Sequence, residues 1–249
     1  MRKMTKKLGA YVLVGMMAVG SFGGTQVKAN TKATVTTQAS EKAQKKDFYE
    51  VLQTATSVDE VLDYIVKYSK TATKAEMSEY MRGLFSFCDD IREVNFTKLK
   101  QVRKYLPENV KVALPRLIKE YNAPAMKDGA AIISVDQLLQ RAISYEKYLN
   151  TNKKGVAVEA IQKLYEEELN FAITGGFHKG MGLINTYADK TGTKVDENII
   201  ASYKTFVKKN KNTKTGNIVS QYVKLLNQTN GKITNKVEKF YDNLYKKMK

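Results

Sequence analysis

Residues 134–176 read SVDQLLQRAISYEKYLNTNKKGVAVEAIQKLYEEELNFAITGG, and this stretch contains two amphipathic helix patterns in succession. Ser134 and Gln137 form a capping box, in which the serine hydroxyl accepts the third helical N–H and the glutamine side chain returns to the serine backbone. In both patterns apolar residues recur at the three- and four-residue spacing of one helix face. A polar turn at 151–155 separates the patterns, and two glycines end the second. The stretch therefore predicts two helices joined by a short turn.

The same kind of pattern continues on both sides of this stretch. Ser57 and Thr73 each have a glutamate three residues later, and Thr193 has an aspartate at that position, so each predicts a helix start. Residues 233–248 have the most regular apolar stripe in the chain and predict one final helix. Pro115 interrupts another stripe, where we expect a kink or a break because proline removes a backbone donor.

Helices with short connections account for most of the chain. About ten are predicted, with almost no strand-like alternation, and the β-like run at 131–133 is too short to matter. Because each helix has a single apolar face, these faces must pack together. We therefore predict an all-α protein, either an irregular multi-helix bundle or a stack of helical hairpins. Residues 122–131 contain a proline and an Asp128-Gly129 turn, and they are a possible sub-domain boundary within a helical domain at 47–249.

The first 29 residues have the composition of a secretory signal peptide. Four basic residues and no acid precede an uncharged, largely apolar run at 8–24. The small-residue pattern VKA at 27–29 follows, which predicts cleavage between Ala29 and Asn30. The apolar run is short for a membrane span, and no second run long enough to span occurs downstream. We therefore expect a secreted or cell-surface protein without transmembrane anchoring after cleavage.

Residues 30–46 are polar and lack a periodic apolar stripe, so we expect a flexible tether before the helical domain. The chain has one cysteine, Cys88, so its fold cannot depend on internal disulfides, which suits a bacterial exported protein. Three interpretations of Cys88 remain open. It is a small apolar residue buried in a predicted helix, or a disulfide partner for a second chain, or a catalytic thiol.

The net charge of +17 is distributed unevenly along the chain. Residues 194–249 contain 13 lysines and four acidic residues, which makes this third strongly basic. Two groups of its lysines are candidate anion-binding residues: Lys208, Lys209, Lys211, Lys214, Lys246, Lys247 and Lys249. The alternative is that a lysine-rich helix surface merely keeps the protein in solution.

Lysine rather than arginine accounts for this basic third. The five arginines after the leader all lie between Arg82 and Arg141. Arginine binds phosphates and base edges through two parallel hydrogen bonds from its planar guanidinium, whereas lysine is a hydrated point charge. The composition therefore favours diffuse, salt-sensitive binding to a polyanion over sequence-specific nucleic-acid recognition. Outside a cell, such polyanions are wall polymers, anionic lipids or host glycans.

A glycine-rich stretch at 174–182, TGGFHKGMG, surrounds the single histidine, His178. One hypothesis makes His178 an acid or base with a carboxylate from Glu167 or Glu168 just upstream. The alternative is a helix stop with a flexible turn, because a single histidine has no partner at a diagnostic spacing. The three adjacent glutamates at 166–168 diverge by about 100° each along a helix, which favours a solvated face over a converging carboxylate pair. One histidine and one distant cysteine leave a zinc site short of ligands, and no phosphate-loop pattern occurs, so we expect no metal or cofactor.

Several aromatic residues of the basic third lie on the apolar stripes, so core packing explains most of them: Tyr203, Phe206, Tyr222, Phe240, Tyr241 and Tyr245. No catalytic constellation stands out, and we expect a non-enzymatic protein. The leading hypothesis is a secreted helical protein that binds an anionic surface polymer or a protein partner through its lysine-rich C-terminal third. A secreted hydrolase using the His178 loop is one alternative, and a membrane-active helical toxin or virulence factor is another.

Overall fold

The structure is a computed structural model, and it describes residues 47–183 and 185–249. These residues belong to one compact unit. The predicted signal peptide at 1–29 and the predicted tether at 30–46 lie outside the described residues.

Ten α-helices form most of the described part of the chain. They are α1 (Phe48–Thr54), α2 (Val58–Tyr68), α3 (Lys74–Phe87), α4 (Glu108–Asn122), α5 (Val135–Thr151), α6 (Val158–Thr174), α7 (Glu197–Asn210), α8 (Lys214–Gln228), α9 (Asn235–Asp242) and α10 (Leu244–Met248). Shorter elements are the 3₁₀ segments Ile91–Glu93, Phe96–Tyr105 and Lys179–Met181, and the two-residue strands β1 (Met126–Lys127) and β2 (Ala130–Ala131). The expectation of a mostly helical, all-α protein is confirmed.

The capping boxes predicted from sequence begin helices in the structure. The Thr73 hydroxyl accepts the Glu76 N–H at 3.2 Å, and the Glu76 carboxylate accepts the Thr73 N–H at 2.7 Å. Ser134 makes the same reciprocal pair at the start of α5. The predicted start at Thr193 is wrong, because α7 begins only after Asp196, whose carboxylate accepts the Asn198 N–H at 2.8 Å. Thr193 instead lies in an extended segment paired with residues near 232.

Of the two outcomes expected at Pro115, a kink or a break, the break does not occur. Helix α4 runs on through this proline, which is exposed to solvent. Buried Leu114 and Leu117 on either side keep the helix packed. The final stripe forms two helices rather than one, since α9 ends before Asn243. The Asn243 amide donates to the Lys239 carbonyl at 2.8 Å and so competes with the backbone at that turn.

The hairpin of α5 and α6 lies at the centre of the packing. Helices α1 to α3 pack on one another and, through the 3₁₀ segment Phe96–Tyr105, on α4, which contacts α5. Helices α7 to α10 pack against α5 and α6 from the other part of the chain. Tyr145, Tyr148 and Tyr165 of the hairpin are fully buried. Burying a large apolar side chain stabilises a fold by roughly 1.5–3 kcal/mol. Because this hairpin contacts helices from both parts of the chain, its buried side chains contribute to the packing of both.

The aromatic residues of the C-terminal helices form a hydrogen-bonded part of that core. Tyr203 is fully buried and donates to the Ala172 carbonyl at 2.6 Å. The Tyr222 and Tyr241 hydroxyls lie 2.7 Å apart. The prediction that Tyr245 packs in the core is wrong, because 45% of this residue is exposed.

Candidate functional site

The structure brings the two predicted groups of lysines together. The end of α7, the following turn and the first residue of α8 carry the first group, and α10 with the residue after it carries the second. Lys214, which opens α8, donates from Nζ to the Met248 carbonyl oxygen at 2.6 Å. The two groups are therefore adjacent although more than 30 residues separate Lys214 from Met248. We call the seven lysines Lys208, Lys209, Lys211, Lys214, Lys246, Lys247 and Lys249 the basic end.

Six lysines of the basic end are exposed, and Lys247 is half-buried. The Lys247 ammonium donates to the Gln221 side-chain oxygen at 2.8 Å and lies 5.3 Å from the centre of the Phe240 ring. Within the described residues, none of the seven forms an ion pair with a carboxylate. Their charges consequently add to one positive field at this end of the molecule.

A cleft of about 230 Å³ opens beside the basic end. Lys214 and Lys249 line it together with Lys153, which lies in the turn between α5 and α6. Lys153 is not predictable from the sequence as part of this surface, because it lies outside the lysine-rich third and no local pattern connects it to Lys214. The tertiary fold alone brings this third lysine to the cleft.

Glu146 of α5 is the acidic residue among the described lining residues of the cleft. Its carboxylate accepts the Lys214 and Thr215 N–H groups, each at 2.8 Å, and the Thr215 hydroxyl at 2.6 Å. These donors form the N-terminus of α8, where a negative charge is stabilised by the helix dipole. One carboxylate faces three lysines among the lining side chains, so the cleft has a positive character.

A second concentration of charge is buried between α4, α5 and α6. Arg141 forms an ion pair and hydrogen bond with Glu120. Tyr145 donates to the Glu120 carboxylate at 2.5 Å and lies 3.2 Å from Glu168. Arg92 lies 3.7 Å from Glu120 and 3.8 Å from Glu168. We call Arg92, Glu120, Arg141, Tyr145 and Glu168 the buried charge cluster.

Glu168 contradicts the expectation that the three adjacent glutamates form a solvated helix face. Its side chain is fully buried, because this position of α6 faces α4 and α5. Burial, and then repulsion from Glu120, raise the pKa of Glu168 to about 9. Glu167 is half-buried and pairs with Arg92 at 2.9 Å, and Glu166 accepts a hydrogen bond from Gln162 at 2.7 Å.

His178 lies on an exposed turn after α6. Its N–H and carbonyl exchange hydrogen bonds with Leu183, each at 3.1 Å, which closes the turn. Within the described residues its imidazole makes no hydrogen bond to a carboxylate, and both catalytic candidates upstream face Arg92 instead. Gly175 and Gly176 have φ of 57° and 77°, so the glycines serve the helix stop. Among the residues that the structure describes, no carboxylate is paired with His178 as a hydrolase at this loop would need.

Cys88 follows the last residue of α3 and is half-buried. Its thiol donates to the Phe85 carbonyl at 3.6 Å. Burial raises the pKa of the Cys88 thiol, which disfavours the nucleophilic thiolate. Cys88 thus packs partly against the core at the end of the helix, as a small apolar residue does.

Among the residues that the structure describes, no three or more His, Cys, Asp and Glu side chains are grouped in a way that could hold a metal ion. No helix in the same residues is both long and apolar enough to cross a membrane. Comparison with protein-family models, with curated proteins and with solved structures found no significant match to the chain.

Proposed function

We propose that the protein is exported and binds an anionic polymer of the cell surface through its basic end, without catalysing a reaction. The hydrogen bond from Lys214 to the Met248 carbonyl carries this proposal, because it joins two lysine groups into one surface. Lys153 extends the same surface across the cleft. A single exposed ion pair contributes about 0–1 kcal/mol, so attachment depends on several lysines acting on one polymer.

The polymer would be recognised by charge density rather than by a particular residue sequence or sugar. Exposed lysines are hydrated and mobile, and they do not impose the fixed fork geometry of arginine. Such contacts are screened over about 8 Å at physiological ionic strength. Binding by the basic end is consequently expected to weaken steeply as salt is added.

Co-sedimentation with isolated bacterial cell walls tests the proposal. The test variant changes Lys208, Lys209, Lys211 and Lys246 to Glu, and it spares Lys214 because that side chain supports the fold. A matched control changes four exposed lysines of the N-terminal helices and their connections to Glu: Lys70, Lys74, Lys100 and Lys119. Both variants have the same net charge, so they differ only in where the charge was reversed.

We expect the wild type and the control to sediment with walls at low salt and to be released at high salt. The basic-end variant is expected to remain in the supernatant under both conditions. Walls from which the anionic polymers have been extracted with acid should retain none of the three proteins. Equal sedimentation of the test variant and the control would refute the proposal.

A further inference from the structure

Three short extended segments meet beside the C-terminal end of α8. Residues 193–196 lie in the middle and pair with 187–189 on one side and with 231–233 on the other. The Asp189 N–H donates to the Lys194 carbonyl at 2.7 Å, and the Val195 N–H donates to the Gly231 carbonyl at 3.0 Å. Residues 187–189 and 193–196 follow α6, and residues 231–233 follow α8. None of the three segments is predicted from the sequence.

Lys194 and Lys232 are directly opposite each other in this arrangement. The flanking hydrogen bonds run from Val195 to Gly231 and from Ile233 to Thr193, so the two lysines form a non-hydrogen-bonded antiparallel pair. In such a pair the Cα atoms are about 4.5 Å apart and both side chains project from the same face. Like charges placed directly opposite one another are destabilising. Both lysines are exposed, so an external anion can reach the space between them.

The neighbouring carboxylates are occupied by other donors. Asp189 accepts the Thr191 hydroxyl at 2.7 Å and the Thr191 N–H at 3.1 Å. It also accepts the Thr193 and Lys194 backbone N–H groups at 3.4 Å, which does not involve the Lys194 ammonium. Asp196 caps α7 by accepting the Asn198 N–H at 2.8 Å. Neither forms an ion pair with Lys194 or Lys232 within the described residues. The repulsion between the two ammonium groups is therefore not relieved by a salt bridge to these acids.

We propose that Lys194 and Lys232 together bind one phosphate group and so form a second contact for the anionic polymer. The two ammonium groups supply donors from the same face, and a bound phosphate replaces their mutual repulsion with two attractions. This inference rests on the proposed function for the identity of the polymer, but the lysine pair is a separate site. Neither of its lysines belongs to the basic end.

The two sites lie at opposite ends of α8. Lys214 opens this helix at the basic end, and the segment containing Lys232 begins three residues after the helix finishes at Gln228. A helix of 15 residues is about 22 Å long. A polymer longer than this can contact both sites at once, which raises the effective concentration at the second site. A short anion reaches one site at a time.

Titration calorimetry with pyrophosphate and with long-chain polyphosphate tests this inference. The test variant is Lys194→Gln/Lys232→Gln, and the matched control is Lys204→Gln/Lys224→Gln, two exposed lysines on α7 and α8. We expect the pair variant to lose at least about tenfold in affinity for polyphosphate and to lose the pyrophosphate site at the lysine pair, while the control stays within about twofold of the wild type for polyphosphate. For polyphosphate, the slope of log K against log salt should become shallower by about one in the pair variant, because one phosphate contact is lost.

The pair variant loses a like-charge repulsion, so its thermal midpoint should equal or exceed that of the wild type, and weaker binding cannot then be attributed to unfolding. Polyphosphate affinity and salt slope equal to those of the wild type would overturn the inference while leaving wall attachment by the basic end intact. Conversely, wall binding that survives reversal of the basic-end lysines would refute the proposed function. Pyrophosphate binding at the lysine pair would still be measurable in that case.

Discussion

The Glu146 carboxylate accepts the Thr215 N–H at 2.8 Å, across 69 positions of the sequence. This contact connects the central hairpin to the first turn of α8, and it holds Lys214 at the edge of the cleft. The same carboxylate therefore serves the fold and the candidate binding surface. The Thr213 hydroxyl caps this helix locally by accepting the Gly216 N–H at 2.9 Å, and Glu146 supplies the negative charge that the first turn of the helix itself lacks.

Replacing Glu146 with alanine should destabilise the protein by about 1–3 kcal/mol, because the buried N–H groups of Lys214 and Thr215 lose their acceptor. Urea unfolding measures this loss. Glu79→Ala, on the exposed face of α3, is the control and should stay within about 0.5 kcal/mol of the wild type. An unchanged urea midpoint for Glu146→Ala would show that the cap does not contribute to stability.

Glu168 should make the free energy of unfolding fall as the pH rises. Its pKa is raised to about 9 in the folded protein, so the native state keeps a proton that the unfolded chain releases near its ordinary value of 4.5. The stabilising contribution is complete below pH 4.5 and is lost as the pH rises towards 9. Repulsion from Glu120 adds to the burial cost, whereas the positive charges of Arg92 and Arg141 oppose it.

Glu168→Gln keeps the shape of the protonated carboxyl and removes its titration. Between these two pKa values the wild-type stability should decline more steeply with pH than that of the variant, by roughly 1 kcal/mol per pH unit. Urea unfolding at several pH values gives both slopes. Glu166→Gln, at a half-buried position on the same helix, should keep the wild-type slope. Parallel curves for the wild type and Glu168→Gln would contradict the assignment.

The Tyr241 hydroxyl should matter more to stability than the Tyr222 hydroxyl. Tyr241 accepts a hydrogen bond from the Asn185 amide at 3.0 Å and also pairs with Tyr222 at 2.7 Å. Tyr241→Phe leaves the Asn185 amide and the Tyr222 hydroxyl without this partner, and it should lower the free energy of unfolding by about 1–3 kcal/mol. Tyr222→Phe should lower it by about 1 kcal/mol. Thermal and urea unfolding of both variants compare these losses.

Tyr245→Phe provides the matched control. Because 45% of Tyr245 is exposed, removing its hydroxyl should leave the free energy of unfolding close to that of the wild type. In a double-mutant cycle, Tyr222→Phe should have a smaller effect once Tyr241 has been replaced, since the shared hydrogen bond is already absent. Fully additive effects of Tyr222→Phe and Tyr241→Phe would indicate that the two hydroxyls do not interact.

Local sequence patterns determined where most helices occur. Thr73 and Ser134 form the expected capping boxes, because such a box involves only residues within one turn. Ser57 caps its helix as expected, but Glu60 accepts the Thr56 N–H instead of the Ser57 N–H, so this box is only half formed. The apolar stripes likewise predicted which sides of the helices are buried, as Tyr203 and Tyr222 illustrate. These features depend on helix period and on contacts between near neighbours, so a single sequence is enough to locate them.

The candidate sites depend on the tertiary structure instead. Lys214 meets Met248, Lys194 opposes Lys232, and Glu168 is buried against Glu120, although each pair is separated by more than 30 residues. Helical periodicity predicts which face of a helix is buried, but it does not predict which other helix packs against that face. That choice follows from how all the helices pack at once, because the best burial of every apolar face determines which charges are brought together.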